Sequence, residues 1–246
     1  MEQRFRPDII DIHCHVLPGL DDGPATMPES LQLCRRLVQE GVRTVVATPH
    51  QLGRYDTTNS PERISEALVA LRDALAAAHI ALEVLPGADV RIDERLVAMV
   101  RQGGVLTLGG SGYLLVELPH DALVTPTRLL KVLAENGIRA VLSHPERHAE
   151  LRRSQSAAED WLAGGAILQV TAGSLTGHFG PEAESAAWDY LSRGMVHVIA
   201  SDAHDDDRRP PRWRAALQRL TEQMDVPGIE RMVRDNPAAL LSTQRQ

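Results

Sequence analysis

The stretch Ile9-Ile-Asp-Ile-His-Cys-His15 sets the pattern on which the fold depends. It begins as a short β-branched run, which is typical of a buried strand, and it ends in polar residues. Because side chains alternate along a strand, His13 and His15 share one face and Cys14 points away from them into packing. Two imidazoles on one face can bind the same metal ion.

The same pattern recurs along the chain. Helical segments with clear start signals, such as Ser60-Pro61 and Thr125-Pro126, separate the short apolar runs. The predicted strands are residues 9–13, 42–47, 82–85, 113–118, 140–142, 167–170 and 196–200. Seven strands that alternate with helices predict parallel β/α units, and no linker-like segment divides them. We therefore expect one barrel-like α/β domain.

The composition excludes several classes of function. The 246 residues are 43% apolar and carry a net charge of −7, which favours a large core and argues against a basic nucleic-acid groove. Aromatic residues make up only 3%, too few for base-stacking platforms. No apolar run is long enough to cross a membrane, no secretory signal opens the sequence, and Cys14 and Cys34 make no disulfide framework. A cytoplasmic protein that neither binds nucleic acid nor inserts into a membrane is expected.

Polar residues directly follow most of the predicted strands. In a parallel barrel these positions lie on the C-terminal rim, where the active sites of this architecture are found. They mix imidazoles and carboxylates, which suits manganese, iron or zinc, and they lack the paired cysteines of a structural zinc site. The residues are His13, His15, His50, Asp89, Glu117, His144, Asp202 and His204. The turn Asp21-Asp22-Gly23 adds further carboxylates.

The run from Asp11 to Pro24 resembles the opening of bacterial protein-tyrosine phosphatases of the PHP (polymerase and histidinol phosphatase) family, which belong to capsular and exopolysaccharide gene clusters. Later blocks match in the same order: Thr48-Pro-His50, Gly87-Ala-Asp-Val-Arg-Ile92, Leu115-Val-Glu-Leu118, Ser143-His-Pro-Glu-Arg147, Ser201-Asp-Ala-His204 and Arg209-Pro-Pro211. The resemblance implies a distorted (β/α)7 TIM-like barrel, the PHP fold, as a single domain over residues 1–246, to which the sequence adds a helical tail from about residue 211.

The resemblance also implies a site with three divalent metal ions, manganese first, with iron or zinc as alternatives. The implied ligand sets are His13, His15, Glu117 and Asp202; Asp89, Glu117 and His144; and Asp22, His50 and His204. The family more commonly has glutamate where Asp89 stands, and aspartate is one methylene shorter. Arg147 and Arg209 are expected to clamp the phosphate, because a guanidinium can bond two phosphoryl oxygens at once. The loop residues His120, His148 and His178 are further candidates for substrate contact.

The implied activity is metal-dependent hydrolysis of phosphotyrosine in proteins, with a polysaccharide-assembly tyrosine kinase as the substrate. Water held between two cations loses its proton near neutral pH, so that no cysteine nucleophile is needed. Three alternatives stay open: a small-molecule phosphoesterase resembling histidinol phosphatase, an amidohydrolase, and a non-catalytic metal-binding protein. Many amidohydrolases use a carbamylated lysine, and Lys131, the only lysine, falls inside a predicted helix, which disfavours that alternative.

Overall fold

The protein is described by a computed structural model that covers residues 8–55, 58–119, 122 and 124–242. The strands within these residues are β1 (Ile9–Cys14), β2 (Val42–Ala47), β3 (His50–Gln51), β4 (Glu83–Pro86), β5 (Asp89–Arg91), β6 (Tyr113–Glu117), β7 (Arg139–Ser143), β8 (Ile167–Thr171) and β9 (Val196–Ala200). They form two sheets, ordered β1-β2-β4 and β3-β5-β6-β7-β8-β9, in which every pairing is parallel.

Two of the barrel's strands are interrupted near their carboxyl ends. Thr48-Pro49 separates β2 from β3, and Gly87-Ala88 separates β4 from β5. Because β2 pairs with β4 and β3 with β5, each interrupted strand counts once, and the barrel has the predicted seven. Pro49 has no N–H to donate to a ladder. A Cβ on Gly87 would lie 2.6 Å from Val46 Cγ1, so the close approach of these strands requires glycine.

Helices connect successive strands, and the last three helices follow the final strand. They are α1 (Met27–Glu40), α2 (Pro61–Ala77), α3 (Leu96–Gln102), α4 (Pro126–Glu135), α5 (Ala149–Arg153), α6 (Gln155–Ala163), α7 (Pro181–Ser192), α8 (Trp213–Gln223), α9 (Val226–Glu230) and α10 (Asn236–Ser242). The predicted start of α2 is confirmed, because Ser60 accepts a hydrogen bond from Arg63 N. The prediction that α3 begins at Asp93 is wrong: the Asp93 carboxylate accepts from the backbone N–H groups of Gly53 and Arg95, and the helix begins at Leu96.

The first and last strands close the barrel. Cys14 forms an isolated parallel bridge with Ala203, just beyond β9. His15 N donates to Ala203 O at 2.9 Å, and Asp202 N donates to His13 O at 2.8 Å. The carboxyl ends of the first and last strands therefore meet, at the side of the barrel where the metal ligands were predicted.

Two hydrophobic clusters fill the fold. The larger one lies between the strands and the surrounding helices and contains both cysteines. The smaller one takes inward residues from the strands, such as Ile12, Leu115 and Val141, and adds Leu240 of α10. Asn236 of α10 donates to His197 O near the start of β9, so this helix covers the end of the barrel opposite the ligands. Among the described residues no helix is both long and apolar enough to cross a membrane.

Candidate metal centre

The nine predicted metal ligands come together at the carboxyl ends of the strands. They form four overlapping groups, and within each group one ligand atom per residue lies within 4.8 Å of the others. The groups are His15, Asp22, His50 and His204; His13, His15 and Asp202; His13, Asp89 and His144; and His50, Asp89 and Glu117. All of these side chains are buried except those of Asp22 and His50, which are partly exposed.

The donor set fits divalent cations. Mixed imidazole and carboxylate ligands are those that manganese, iron and zinc accept. Both carboxylate oxygens of Asp89 are buried without a hydrogen-bond partner among the described residues, as is Nε2 of His204. Buried polar atoms are normally paired, so these atoms indicate a ligand that belongs between them.

The grouping around Glu117 differs from the one that the resemblance implies. Glu117 was expected to bridge two ions, one of them held by His13, His15 and Asp202. In the structure Glu117 groups with His50 and Asp89, and Arg91 Nη1 donates to Glu117 Oε2 at 2.9 Å. The other carboxylate oxygen, Oε1, lies 3.7 Å from His144 Nε2. The assignment of ligands to individual ions therefore stays a prediction.

Three histidines are oriented by hydrogen bonds at Nδ1. His13 donates to Gln169 Oε1 at 2.9 Å, and His15 donates to Asp21 Oδ2 at 2.7 Å. His204 donates to the backbone oxygen of Asp202 at 3.1 Å. Each bond fixes the tautomer and leaves Nε2 free as a metal ligand, an arrangement common around protein-bound metals.

Gln169 and Asp21 each hydrogen-bond to a predicted ligand, a role that was not predicted for either of them. Gln169 is a buried polar residue inside an otherwise apolar strand, β8. Asp21 stands next to the predicted ligand Asp22, and besides His15 it accepts from the backbone N–H of His50 at 2.9 Å. A glutamine in an apolar run and the second aspartate of the turn were the available signals.

Charges within the site strongly shift its pKa values. Burial opposes ionisation of both Asp21 and His15, but their mutual attraction outweighs it. It lowers the pKa of Asp21 to about 2 and, together with Asp202, raises the pKa of His15 to about 10. Burial and the nearby charge of His15 lower the pKa of His204 to about 4. These charges favour a cationic His15 and a neutral His204, so a metal ion bound at Nε2 of His15 would displace a proton.

Both predicted phosphate clamps reach the site. The guanidinium groups of Arg147 and Arg209 contact the same oxygen of Asp202, with Arg209 Nη2 at 2.8 Å. Burial would raise the pKa of Asp202, but Arg147, His13 and Arg209 hold it well below its usual value. Arg147 also lies over the ring of Phe179.

One cavity of about 330 Å³ connects the ligands to solvent. It is lined by Asp22, His50, Leu52, Gly53, Arg54, Tyr55, Arg91, Glu117, His144, Arg147, Asp202 and Arg209. The cavity brings four arginines together with five of the predicted ligands, so an anion that enters it meets both kinds of group.

Two of the three histidines that were candidates for substrate contact lie within the described residues. His148 is buried, its Nδ1 accepts from Leu151 N and its Nε2 donates to Pro119 O, so no ring nitrogen is left for a substrate. His148 lines a small cavity beside His144 and Arg147, and its contact with substrate stays a prediction. His178 is partly exposed and packs edge-on against Phe179, and its contact with substrate stays a prediction. His120 lies outside the described residues.

The cysteines and the single lysine lie where the sequence analysis placed them. Cys14 and Cys34 are both free and buried. Lys131 lies on α4 with its side chain 77% exposed and pairs with Glu135, so it cannot serve as a bridging ligand. A cysteine nucleophile and a carbamylated lysine are both excluded at this site.

Comparison with known proteins identifies the family. A family model described as capsular polysaccharide synthesis, CpsB/CapC, matches residues 9–242. The chain belongs to the CpsB/CapC family. Its relative YwqE, a tyrosine-protein phosphatase of Bacillus subtilis, is 34% identical over 238 residues, which cover 96% of this chain and 92% of YwqE.

Solved structures agree with this assignment. Crystal structures are known of YwqE from Bacillus subtilis and CpsB from Streptococcus pneumoniae, described as metal-dependent tyrosine phosphatases. One of them matches 96% of this chain and 95% of its own with a TM-score of 0.90 and 32% identity. The phosphotriesterase homology protein of Escherichia coli, with a TM-score of 0.62 and 12% identity over 97% of this chain and 100% of its own, shares the fold alone. The family and the TIM-like barrel that the motifs predict are both confirmed.

Proposed function

We propose that this CpsB/CapC family member is a metal-dependent tyrosine-protein phosphatase, which hydrolyses the phosphate ester of phosphotyrosine in protein substrates. The observation that carries the proposal is the convergence of nine imidazoles and carboxylates beside Arg147 and Arg209. This convergence occurs in a chain 34% identical to a tyrosine-protein phosphatase over nearly its full length.

The metal complement is proposed as three divalent ions, manganese in the first instance, with iron or zinc as alternatives. Four overlapping ligand groups that share His13, His15, His50 and Asp89 support several neighbouring ions rather than one. Bound divalent ions supply an activated water for attack on phosphorus and neutralise phosphoryl charge. Orientation of the imidazoles falls to Gln169 and Asp21.

Recognition of the phosphoryl group is assigned to Arg147 and Arg209. Both are half-buried, both line the cavity, and both are held in place through Asp202. The planar guanidinium bonds two phosphoryl oxygens at once, and in a partly desolvated cavity such charge-assisted bonds are strong. These arginines bind and orient the phosphate for in-line attack.

The physiological substrate is proposed to be a tyrosine kinase of polysaccharide assembly, located in the cytoplasm. The description of the matching family, capsular polysaccharide synthesis, supports this choice. A tyrosine phosphatase acts on a phosphorylated protein, and a kinase of the same process is a substrate that would couple phosphorylation to capsule assembly.

A substrate comparison tests the proposal. Metal-depleted protein reloaded with Mn²⁺ is assayed with a phosphotyrosyl peptide and with histidinol phosphate, and bound metal is counted by elemental analysis. We expect faster hydrolysis of the peptide and about three ions per chain. Faster hydrolysis of histidinol phosphate would support a small-molecule phosphoesterase instead. If His13→Ala kept both its fold and full activity, the metal site would be a binding site without a catalytic role.

A further inference from the structure

The cavity wall that follows β3 carries an aromatic side chain that neither the metal site nor the phosphate clamp uses. Residues 52–55 all line the cavity, and Tyr55 is the only Phe, Tyr or Trp among its described lining residues. Most of the other described aromatic side chains are buried in the core, among them Trp161, Trp213 and Tyr190. Among the described residues, Tyr55 is therefore the only aromatic side chain that lines the cavity beside the predicted ligands.

The backbone that presents Tyr55 is strained and firmly held. Leu52 has φ +64°, a strained conformation that bulky residues rarely adopt. The turn is anchored from the strand β5 side: Asp93 Oδ2 accepts from Gly53 N at 3.1 Å, and Arg95 Nη2 donates to Gly53 O at 3.3 Å. Such strain persists only where the surroundings enforce it, and it concentrates at ligand-binding sites.

Two further hydrogen bonds tie Asn59 to β3. Asn59 Nδ2 donates to His50 O at 2.7 Å, and Gln51 Nε2 donates to Asn59 O at 2.9 Å. The ring of Tyr55 lies nearly parallel to that of His50, with 11° between the planes and 5.6 Å between the centroids. The ring of Tyr55 thus packs against His50, a predicted metal ligand.

The side chains in and around the cavity differ in their exposure to solvent. The ligands His13 and His15 are fully buried, Tyr55 is partly exposed, and the side chain of Arg54 is 70% exposed. A phosphate ester that occupies the cavity beside Arg147 and Arg209 therefore lies in a space that Tyr55 also lines. In phosphotyrosine a phenyl ring separates the phosphate from the backbone, whereas the phosphate of phosphoserine is only one carbon away from it.

The guanidinium of Arg54 lies over the ring of Tyr55. Its guanidinium carbon lies 4.8 Å from the centroid of the Tyr55 ring, and its Nη2 pairs with Asp22 at 3.4 Å. Asp22 is 37% exposed, and an exposed ion pair of this kind contributes little to stability. A substrate ring can therefore displace Arg54 at small cost.

We propose that Tyr55 is a specificity-determining residue: it forms the aromatic wall against which the phenyl ring of phosphotyrosine packs, and it thereby favours aryl over alkyl phosphates. This inference rests on the proposed phosphatase activity and adds the residue that selects the side chain. Offset or edge-to-face aromatic pairs contribute favourably beyond the area that they bury.

The test compares Tyr55→Ala, Tyr55→Leu and Tyr55→Phe in the Mn²⁺-loaded protein. The substrates are a phosphotyrosyl peptide and β-glycerophosphate, an alkyl phosphate. We expect Tyr55→Ala to lower kcat/KM for the peptide about tenfold, mainly through KM, and to change kcat/KM for β-glycerophosphate less than twofold. Tyr55→Phe keeps the ring and should rescue the peptide activity, whereas Tyr55→Leu should not. Val69→Ala, an exposed change on α2, is the matched surface control.

A binding measurement separates this inference from the proposed function. Calorimetry with phenylphosphonate and methylphosphonate, which are not hydrolysed, requires no turnover. We expect Tyr55→Ala to lose about tenfold in affinity for phenylphosphonate only, with metal content and unfolding temperature unchanged. Equal losses for both phosphonates, or no loss for either, would overturn the role of Tyr55. Failure of the wild type to hydrolyse the peptide, with selective phenylphosphonate binding intact, would instead refute the phosphatase proposal.

Discussion

The guanidinium of Arg147 lies over the ring of Phe179, with its central carbon 4.3 Å from the ring centroid. The loop that follows β8 is built to hold this ring there. Glu146 Oε1 accepts from Thr171 N at 2.9 Å and from Ser174 Oγ at 2.7 Å, which fixes the start of the loop. A Cβ on Gly173 would lie 2.8 Å from the Phe179 ring, so only glycine leaves room for it.

The first prediction concerns the contact between Phe179 and Arg147. In Phe179→Ala the guanidinium loses a cation–π contact of about 1 kcal/mol and gains freedom to move. KM for a phosphotyrosyl peptide should rise about fivefold, while metal content stays at the wild-type level. Phe179→Tyr keeps a ring under Arg147 and should retain the wild-type KM. Steady-state kinetics with elemental analysis checks both, and an unchanged KM in Phe179→Ala would show that Asp202 alone positions Arg147.

The second prediction concerns Asp21, which orients His15. Asp21→Ala removes the acceptor at His15 Nδ1, and loss of such a partner typically weakens metal binding about 10- to 100-fold. Asp21→Asn keeps an oxygen acceptor but not the charge, so its affinity should fall between wild type and Asp21→Ala. Titration of metal-depleted protein with Mn²⁺ measures the series. Asp206→Asn, in an exposed loop, is the control, and equal affinities throughout would contradict the assigned role.

The third prediction separates metal from thiol chemistry. Burial raises the pKa of Cys14 well above its usual value and raises that of Cys34 to about 12, so both thiols stay protonated and unreactive at pH 8. Iodoacetamide should therefore leave phosphatase activity intact, whereas EDTA should abolish it and added Mn²⁺ restore it. Activity that survives chelation, with metal content verified as near zero, would refute the metal-dependent mechanism.

The fourth prediction concerns stability. Asp11 is fully buried and accepts from Ser201 N at 3.0 Å and from Trp213 Nε1 at 3.0 Å, which ties β1 to the end of β9 and to α8. Asp11→Ala leaves these donors unsatisfied and should lower the free energy of unfolding by about 3 kcal/mol. Asp8→Ala, at an exposed carboxylate, should change it by less than about 0.5 kcal/mol. Urea unfolding of the metal-loaded protein compares the two.

The sequence predicts the barrel well because its seven strands are apolar runs bounded by turn and cap residues. It does not reveal β3 and β5, since two or three residues carry no periodicity. These short strands place His50 and Asp89 at their first residues and align them with each other. Pro49 and Gly87 are visible in the sequence as residues that can interrupt a strand. The short strands β3 and β5 that follow them are defined only by their pairing with each other.

Most of the candidate ligands were readable because they lie at or just beyond the carboxyl ends of predicted strands, and parallel strands bring those ends together. Their partners were not, because the roles of Asp21 and Gln169 depend on contacts with histidines that local sequence does not specify. The same holds for Tyr55, which follows a strained turn that no propensity favours. Chemistry at strand ends is encoded locally, whereas orientation and selectivity arise from packing.

The pairing of Cys14 with Ala203, 189 positions later in the chain, sets the order of events during biosynthesis. His13 and His15 leave the ribosome early, but Asp202 and His204 are translated only near the end. A growing polypeptide therefore carries half of a metal site for most of its synthesis and cannot complete it. The predicted metal site can therefore be complete only after nearly the whole chain has been synthesised.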